Sequence, residues 1–258
     1  GEIRVRVVIP STSGETFPLL VFFHGGGFMA GDINTNDYEL RVLSYRLKIV
    51  TVNVDYRLDG APHAQDDSYA ALKWAAANDT TLSADTTKGF IVMGASAGGQ
   101  IAAVTAQRAR DDPFFNRQRL TGQIIQIPSV CHLYCYPEQY KDRLLSMEQN
   151  KDAPMLSKQA MVNIYRFLGG DPKDPSISPL LTPSLVGLPP ALVQVAGLDP
   201  LRDEGILYGE LLRGASVNTR IEVYSGVPHG FQYVMSTTEK AKKFTQDVED
   251  AVRWMTSV

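Results

Sequence analysis

Stretches of apolar side chains recur along this chain and predict the strands of a sheet. Residues 3–9 alternate apolar and charged positions, which is typical of a strand at an exposed sheet edge. Strands buried on both faces are predicted by runs that are apolar almost throughout, at residues 19–23, 49–54, 90–93, 124–127 and 191–195. Because such doubly covered strands are typical of parallel sheets, the sheet is predicted to be mainly parallel.

Helical patterns fill the intervals between these runs. Apolar residues spaced three and four apart predict helices at residues 38–47, 67–77, 99–110, 202–212 and 239–255. Strands that alternate with helices indicate an α/β fold, with helices on both faces of the sheet.

Residues 128–188 interrupt this alternation. The segment opens with a Pro- and Tyr-rich stretch, continues with a polar run and contains an amphipathic stretch at residues 158–168 that two glycines close. It is too long for a simple connection and shows no clear strand pattern, so we predict a small inserted helical lid. Residues 1–127 and 189–258 then form the core. A long surface connection is the alternative.

The composition is that of a globular protein, with 44% hydrophobic and 21% charged residues in a chain of 258. A net charge of -3 argues against nucleic acid or an anionic membrane as the partner and favours a small molecule. No apolar run approaches the roughly 18 residues of a membrane-spanning helix. The first residues lack the pattern of a signal peptide, which favours a cytoplasmic location, and a homodimer is left open.

Two cysteines, Cys131 and Cys135, lie close together in the predicted lid. They are too few for a disulfide scaffold and, without further ligands, for a zinc site. We expect free or packed thiols, with a local disulfide as the alternative, and neither a metal nor a cofactor.

A candidate nucleophile lies between the predicted strand at 90–93 and the predicted helix at 99–110. Residues 94–98, G-A-S-A-G, match G-x-S-x-G, and a nucleophile elbow requires this setting of strand, turn and helix. Small neighbours permit the sharp turn that exposes the Ser96 hydroxyl. The helix start also places the N–H of Ala97 beside the serine, where it favours a developing oxyanion.

A serine nucleophile needs a base and an orienting acid, and in this type of sheet the acid and then the histidine follow it. His132 lies in the predicted lid, before any convincing acid. His229 lies in a Gly- and Pro-containing loop after an apolar and polar run at residues 221–224. We therefore predict that His229 is the base for Ser96.

Three carboxylates near residue 200 are candidates for the acid. Asp199 directly follows the buried strand at 191–195, where the loops of α/β proteins carry active-site residues. Asp203 and Glu204 fall in the first turn of the next helix, where the helix dipole favours negative charge without any catalytic role. Asp199 is the predicted acid and Asp203 is the reserve.

Three consecutive glycines after the strand at 19–23 indicate a site that needs bare backbone. They lie at the same sheet edge as Ser96, so their N–H groups can face the same oxygen. We expect the preceding His24 to hold this loop through a backbone hydrogen bond rather than to act as a base. We expect two of these N–H groups to form an oxyanion hole together with that of Ala97, and the candidates among the glycines are Gly25, Gly26 and Gly27.

Apolar and aromatic side chains beside these motifs are candidates for substrate contacts. The predicted contacts are Phe28, Met29 and Phe231, with a core position as the alternative for Phe28. Four tyrosines of the lid segment indicate either an apolar pocket or the packing of the lid itself; they are Tyr134, Tyr136, Tyr140 and Tyr165.

Six motifs in their expected order resemble the hormone-sensitive-lipase-like branch of the α/β-hydrolases. They are H-G-G-G-F at 24–28, D-Y-R-L at 55–58, G-A-S-A-G-G at 94–99, L-P-P-A-L-V at 188–193, D-P-L-R-D-E-G at 199–205 and H-G-F at 229–231. The resemblance implies an α/β-hydrolase fold and a serine carboxylesterase for small, short-chain acyl esters, with Ser96, Asp199 and His229 as its triad. It also implies the oxyanion donors named above, Gly25 least directly.

Two positions depart from the usual pattern of this branch. Ala95 stands where an Asp usually precedes the nucleophile, and residues 59–65 form a shorter loop than usual, whose course is left open. Lactone or amide hydrolysis by the same triad is one alternative activity. A ligand-binding receptor on the same fold is another, but the receptors of this branch lose the catalytic histidine, whereas His229 is present.

Overall fold

Seven strands in the described part of the chain, residues 2–11 and 14–256 of the computed structural model, form one sheet. In chain order they are Arg4–Val8 (β1), Leu19–Phe23 (β2), Val50–Asp55 (β3), Phe90–Ala95 (β4), Gly122–Gln126 (β5), Ala191–Ala196 (β6) and Thr219–Tyr224 (β7). Each strand predicted from the sequence is present, with ends that differ by at most two residues. Residues 1, 12, 13, 257 and 258 of the predicted core lie outside the described residues.

The sheet is parallel except at one edge. Its strand order is β1-β3-β2-β4-β5-β6-β7, and β1 pairs with β3 in the antiparallel sense. The other neighbouring strands pair in parallel, which confirms the predicted sheet type. The strand with alternating polarity is the edge strand β1, where Arg4 reaches solvent.

Helices cover both faces of the sheet. In chain order they are Asp37–Leu47 (α1), His63–Ala77 (α2), Ala97–Asp111 (α3), Ser146–Gln149 (α4), Lys158–Leu168 (α5), Arg202–Gly214 (α6), Phe231–Val234 (α7) and Glu239–Thr256 (α8). Successive side chains of β2 point to opposite sides because a strand alternates its faces. Leu19, Val21 and Phe23 enter the core beneath α2, α3 and α6, whereas Leu20 and Phe22 enter the core beneath α1 and α8.

The start of α2 differs from its prediction by four residues. The helix begins at His63, not at residue 67. Its first turn buries Ala64 in the core, but polar residues surround this alanine in the sequence and hide the apolar spacing.

The segment between β5 and β6, which the sequence predicts to be a lid and which is called the lid below, contains short helices. It contains α4, α5 and two 3-10 turns, Glu138–Arg143 and Pro179–Leu181. Its apolar side chains join the same core cluster as β2 and α3; among them are Leu144, Met161 and Leu180. The lid therefore packs continuously on the core. Its ends at residues 128 and 188 remain predictions.

Candidate active site

Four loops that leave the carboxyl ends of parallel strands carry the predicted site residues. His24 and the glycines follow β2, Ser96 follows β4, Asp199 follows β6 and His229 follows β7. Parallel strands end at a common edge, and α/β proteins bind their ligands there. The fold thus gathers residues that lie up to 205 positions apart in the sequence, from 24 to 229.

Ser96 occupies a strained turn between β4 and α3. Its φ and ψ angles of 58° and -116° are sparsely populated by residues other than glycine, and such strain is concentrated at functional sites. The Ser96 N–H donates to the carbonyl of Gln126 (2.9 Å), which fixes the turn against β5. A Cβ atom on Gly98 would overlap the carbonyl oxygen of Phe23, so this glycine allows α3 to approach β2. The serine is partly exposed, whereas Ala95 and Ala97 on either side are buried.

The structure brings Ser96, His229 and Asp199 into one hydrogen-bonded chain. Nε2 of His229 lies 2.9 Å from Oγ of Ser96, and Nδ1 donates to Oδ2 of Asp199 at 2.6 Å. The second carboxylate oxygen of Asp199 accepts the N–H of Leu201 (2.9 Å). Asp199 is 1% exposed and the His229 side chain 12%, so the pair is shielded while the imidazole can still reach the cleft. This arrangement holds the ring with Nε2 free to accept the serine proton.

Backbone contacts hold the acid loop beside the histidine loop. Gly197 donates its N–H to the carbonyl of Tyr224 (2.8 Å), and Leu198 donates to Val227 (2.9 Å). A Cβ on Gly197 would lie 2.9 Å from Cα of Ser225, so glycine is needed for this close approach. The separation of Asp199 and His229 is therefore set by main-chain pairing.

The glycine loop after β2 lies against the nucleophile turn. A Cβ on Gly25 would lie 3.0 Å from the carbonyl oxygen of Ala95 and 3.5 Å from Cβ of Ser96. Gly26 has a φ of +125°, where a Cβ would also overlap the carbonyl of Ala30. Side chains are thus excluded from the loop where the sequence predicted bare N–H donors. Ala95, which stands where this branch usually has an Asp, is small and buried, and its carbonyl makes this contact.

His24 supports this loop from within the core. It is fully buried, its Nδ1 donates to the carbonyl of Gly25 (2.7 Å), and its ring stacks on Tyr56 at 4.2 Å. The Tyr56 hydroxyl in turn donates to the His24 carbonyl (2.7 Å). Burial lowers the pKa of His24, which favours the neutral ring. Its predicted role as a loop holder agrees with these contacts.

The reserve acid, Asp203, contacts the lid and not His229. Its Oδ2 accepts the N–H groups of Leu145 (2.8 Å) and Ser146 (2.7 Å), at the start of α4. A carboxylate at this position satisfies helix-terminal donors. Of the two aspartates, only Asp199 contacts His229.

Two of the three predicted substrate contacts lie inside the protein. Phe28 is 1% exposed and packs in the main core, which is the alternative position stated for it. Phe231 is fully buried and packs on Tyr224 and Phe244 behind the histidine loop. Both rings pack against other core side chains and offer no surface to a substrate. The prediction of direct contact is therefore wrong for both. Met29 is 44% exposed and remains a candidate.

The sequence did not point to two residues near the site, Ile164 and Asn150, and it assigned Glu204 only a favourable position in the helix dipole. Ile164 of α5 reaches the glycine loop, because a Cβ on Gly27 would lie 3.0 Å from its side chain. Asn150 donates from Nδ2 to the main-chain carbonyl of Asp199 (3.0 Å), and Glu204 binds the start of the lid. The amphipathic spacing of α5 predicts a lid helix but not which residue faces the site, and the two polar contacts join distant segments without any local signal.

The lid tyrosines serve mainly to pack the lid. Tyr165 is 4% exposed, and its hydroxyl bonds to Oγ of Ser129 (2.7 Å) and donates to the carbonyl of Cys131 (3.0 Å). His132 packs on the Tyr165 ring at 4.0 Å, and burial lowers its pKa. Tyr134, by contrast, is 71% exposed. These contacts favour the packing interpretation over a tyrosine-lined pocket.

Both cysteines carry free thiols, so the alternative of a local disulfide does not apply to this structure. Among residues 2–11 and 14–256, no group of three or more His, Cys, Asp or Glu side chains is placed to hold a metal ion. In the same residues, no helix has both the length and the apolar character needed to span a bilayer.

A cavity of about 530 Å³ lies away from these residues, between α1 and α8 and above Met93 and Gln126. None of its lining residues in the described part of the chain belongs to the hydrogen-bonded triad or to the glycine loop. The candidate active site is therefore located by its chemistry and not by this volume.

Comparisons with known proteins agree with this fold. A family model described as an alpha/beta hydrolase fold matches residues 20–233. Esterase LipI of Mycobacterium tuberculosis is 38% identical over 242 residues, which cover 90% of this chain and 71% of the relative. Versiconal hemiacetal acetate esterase of Dothistroma septosporum is 33% identical over 260 residues, covering 98% and 78%.

A solved structure is similar along almost the whole chain. The crystal structure of vibralactone cyclase superposes with a TM-score of 0.96 at 42% sequence identity, covering 99% of this chain and 76% of that one. The fold, the order of the motifs and the named esterases among the relatives lead to one assignment. The chain belongs to the hormone-sensitive-lipase-like branch of the α/β-hydrolase family and is a carboxylic ester hydrolase.

Proposed function

We propose that this esterase hydrolyses small, short-chain acyl esters through an acyl-enzyme on Ser96. The observation that carries the proposal is the chain of two hydrogen bonds from Ser96 through His229 to Asp199, with lengths of 2.9 and 2.6 Å. A serine hydroxyl is a weak nucleophile until an adjacent base accepts its proton. The strained turn at Ser96 directs this hydroxyl to the carboxyl edge of the sheet.

Acylation begins when Oγ of Ser96 attacks the ester carbonyl. Nε2 of His229 accepts the hydroxyl proton, and the carboxylate of Asp199 stabilises the imidazolium that forms. His229 then donates this proton to the departing alcohol as the C–O bond breaks. Water attacks the acyl-enzyme with the same base, and the acid leaves as Ser96 regains its proton.

The oxyanion of each tetrahedral intermediate is held by main-chain N–H groups. In the described part of the chain, the N–H groups of Gly26 and Gly27 form no hydrogen bond with another protein group. Ala97 is the first residue of α3, so its N–H is free and lies at the positive end of a helix dipole. Each such donor typically contributes about a hundredfold to a thousandfold to the rate. Gly25 supports the loop against Ser96 and is the least direct donor.

Two side chains support a preference for short acyl groups. Ile164 lies against Gly27, where it occupies space beside the oxyanion donors. Met29 follows the glycine loop and is partly exposed at the same end of the sheet. An apolar wall so close to the reacting carbonyl suits a small apolar group.

Intramolecular acyl transfer is a second candidate, favoured by the similarity to vibralactone cyclase. In that reaction a hydroxyl of the acyl group, instead of water, attacks the carbonyl of the acyl-enzyme. The new C–O bond closes a lactone, the bond to Ser96 breaks, and His229 moves the proton from the attacking hydroxyl to the serine. The reverse sequence opens a lactone.

Hydrolysis of p-nitrophenyl esters from acetate to laurate tests the first candidate. We expect the wild-type chain to prefer short esters and Ser96→Ala to lose activity by about 10⁴-fold or more. Ile164→Ala is expected to move the optimum to longer chains because it opens space beside Gly27. Activity that survives in Ser96→Ala would refute the proposed nucleophile, and an unchanged optimum in Ile164→Ala would refute the proposed wall.

A further inference from the structure

Two adjacent acids at the start of α6 contact two different parts of the lid. Asp203 accepts N–H groups at the start of α4, as described above. Glu204 faces the opposite way, toward the residues that lead from β5 into the lid. The stretch that carries the catalytic acid is therefore held by the lid on both sides.

Glu204 makes three hydrogen bonds to the first residues of the lid. Its Oε1 accepts the N–H of Val130 (2.8 Å) and that of Cys131 (3.2 Å). Its Oε2 accepts the hydroxyl of Tyr136 (3.0 Å). Glu204 is 1% exposed, so solvent cannot replace these contacts, and the buried N–H groups would have no partner if the carboxyl were removed.

The lid also contacts the main chain of the catalytic acid itself. Asn150 donates to the carbonyl of Asp199 (3.0 Å), and Oγ of Ser146 donates to the carbonyl of Pro200 (2.7 Å). Oγ of Ser146 also accepts the N–H of Asp203 (3.0 Å). Residues 199–204 thus lie between two lid segments, and their position depends on both.

We propose that Glu204 is a positioning residue, which holds the lid base and the start of α6 together and so fixes Asp199 on His229. The inference rests on the proposed function, because Glu204 can affect the reaction rate in this way only if Asp199 orients His229. Glu204 lies one helical turn from the acid loop and touches no reacting atom. A displacement of about 1 Å caused by a change away from the reacting atoms can cost about a hundredfold in rate.

The protonation of Glu204 decides which substitution tests this role. Burial raises the pKa of Glu204, the three hydrogen bonds oppose this shift, and the nearby carboxylate of Asp199 adds to it, so that the pKa is about 8. The other titratable groups that face it are Tyr136, Tyr165 and Cys131. The carboxyl is therefore largely neutral at pH 7, where glutamine keeps its shape and a carbonyl oxygen for the two N–H groups.

Steady-state kinetics of three variants on p-nitrophenyl acetate at pH 7 test the proposal. Each kcat is divided by the number of active serines, counted from the p-nitrophenol burst. We expect Glu204→Ala to lower kcat by about tenfold to a hundredfold and Glu204→Gln to retain most of it. Glu210→Ala is the control, because this exposed residue of α6 also contacts the lid, through Arg143, but in solvent.

A kcat in Glu204→Ala equal to that of the control would overturn the proposal, as would a Gln variant as impaired as the Ala variant. Should Glu204→Ala fail to fold, Tyr136→Phe removes one contact and is expected to lower kcat by about twofold to tenfold. An unchanged kcat in Tyr136→Phe would overturn the proposal as well. A wild-type chain without esterase activity would instead refute the proposed function, and with it the inference.

Discussion

The nucleophile turn and the lid meet at one site but are held by different kinds of contact. At the turn, main-chain atoms approach so closely that a single methyl group at Gly98 would overlap the carbonyl of Phe23. At the lid, the contacts are hydrogen bonds that the side chains of Asp203 and Glu204 accept from backbone N–H groups. The first region depends on the absence of side chains and the second on particular polar ones.

Because the two regions are held differently, we expect substitutions to affect them to different degrees. Close backbone packing gives the turn one allowed geometry, because added atoms must move a strand or a helix. The polar contacts of the lid each contribute a modest free energy, so their loss shifts an equilibrium without destroying the fold. We expect substitutions to have large effects at the triad and the turn, and graded effects at the lid.

The largest expected effect is a difference in kcat between substitutions of the two aspartates of the D-P-L-R-D-E-G motif. Asp199→Asn is expected to lower kcat on p-nitrophenyl acetate by about 10⁴-fold, because the amide no longer favours the tautomer that leaves Nε2 of His229 free. Asp203→Asn should lose far less, since its carboxylate binds lid N–H groups. Comparable losses in the two variants would contradict the separation of roles.

The turn is tested by adding one methyl group. Gly98→Ala is expected to lower the free energy of unfolding by about 3 kcal/mol or more, because its Cβ overlaps main-chain atoms of β2. Alanine normally stabilises a helix relative to glycine, by about 1 kcal/mol. Gly214→Ala, in α6 with open space around its Cβ, is the control and should be neutral or slightly stabilising in urea unfolding. A stabilising Gly98→Ala would refute the packing described here.

The lid contacts are tested at Ser146. Its hydroxyl is buried and joins the carbonyl of Pro200 to the N–H of Asp203. Ser146→Ala leaves both groups unpaired and is expected to lower the free energy of unfolding by about 1–2 kcal/mol in urea titration. Ser236→Ala, at an exposed position, serves as the control. Equal stability of the two variants would show that the lid is held without this contact.

A pH dependence of stability is expected from Glu204. Its pKa in the folded protein is about 8, raised from 4.5, so between these values the unfolded chain loses a proton that the folded chain keeps. Glu204 therefore costs stability increasingly as pH rises through this window. Glu204→Gln removes the cost, so its melting temperature should gain on the wild type progressively as the pH rises from 5 to 8. A constant difference would contradict the raised pKa.

The strands, the Ser96 turn and the glycine loop could be predicted from the sequence because their causes are local. Apolar runs define buried strands, and small residues define the close approaches. The role of Glu204 could not be predicted, because its partners Val130 and Tyr136 lie about 70 positions away, across the sheet edge. Phe28 and Phe231 were misassigned for a related reason: adjacency in sequence to a site residue does not tell which way a ring points.

Covalent labelling tests most directly whether Ser96 is a nucleophile activated by His229. The protein is treated with an alkyl fluorophosphonate, which transfers its phosphonyl group to an activated serine with loss of fluoride, and the adduct is located by mass spectrometry. We predict one adduct per chain, on Ser96, that is absent in Ser96→Ala and forms far more slowly in His229→Ala. An adduct on another residue, or labelling of Ser96 at the same rate without His229, would contradict the proposed triad.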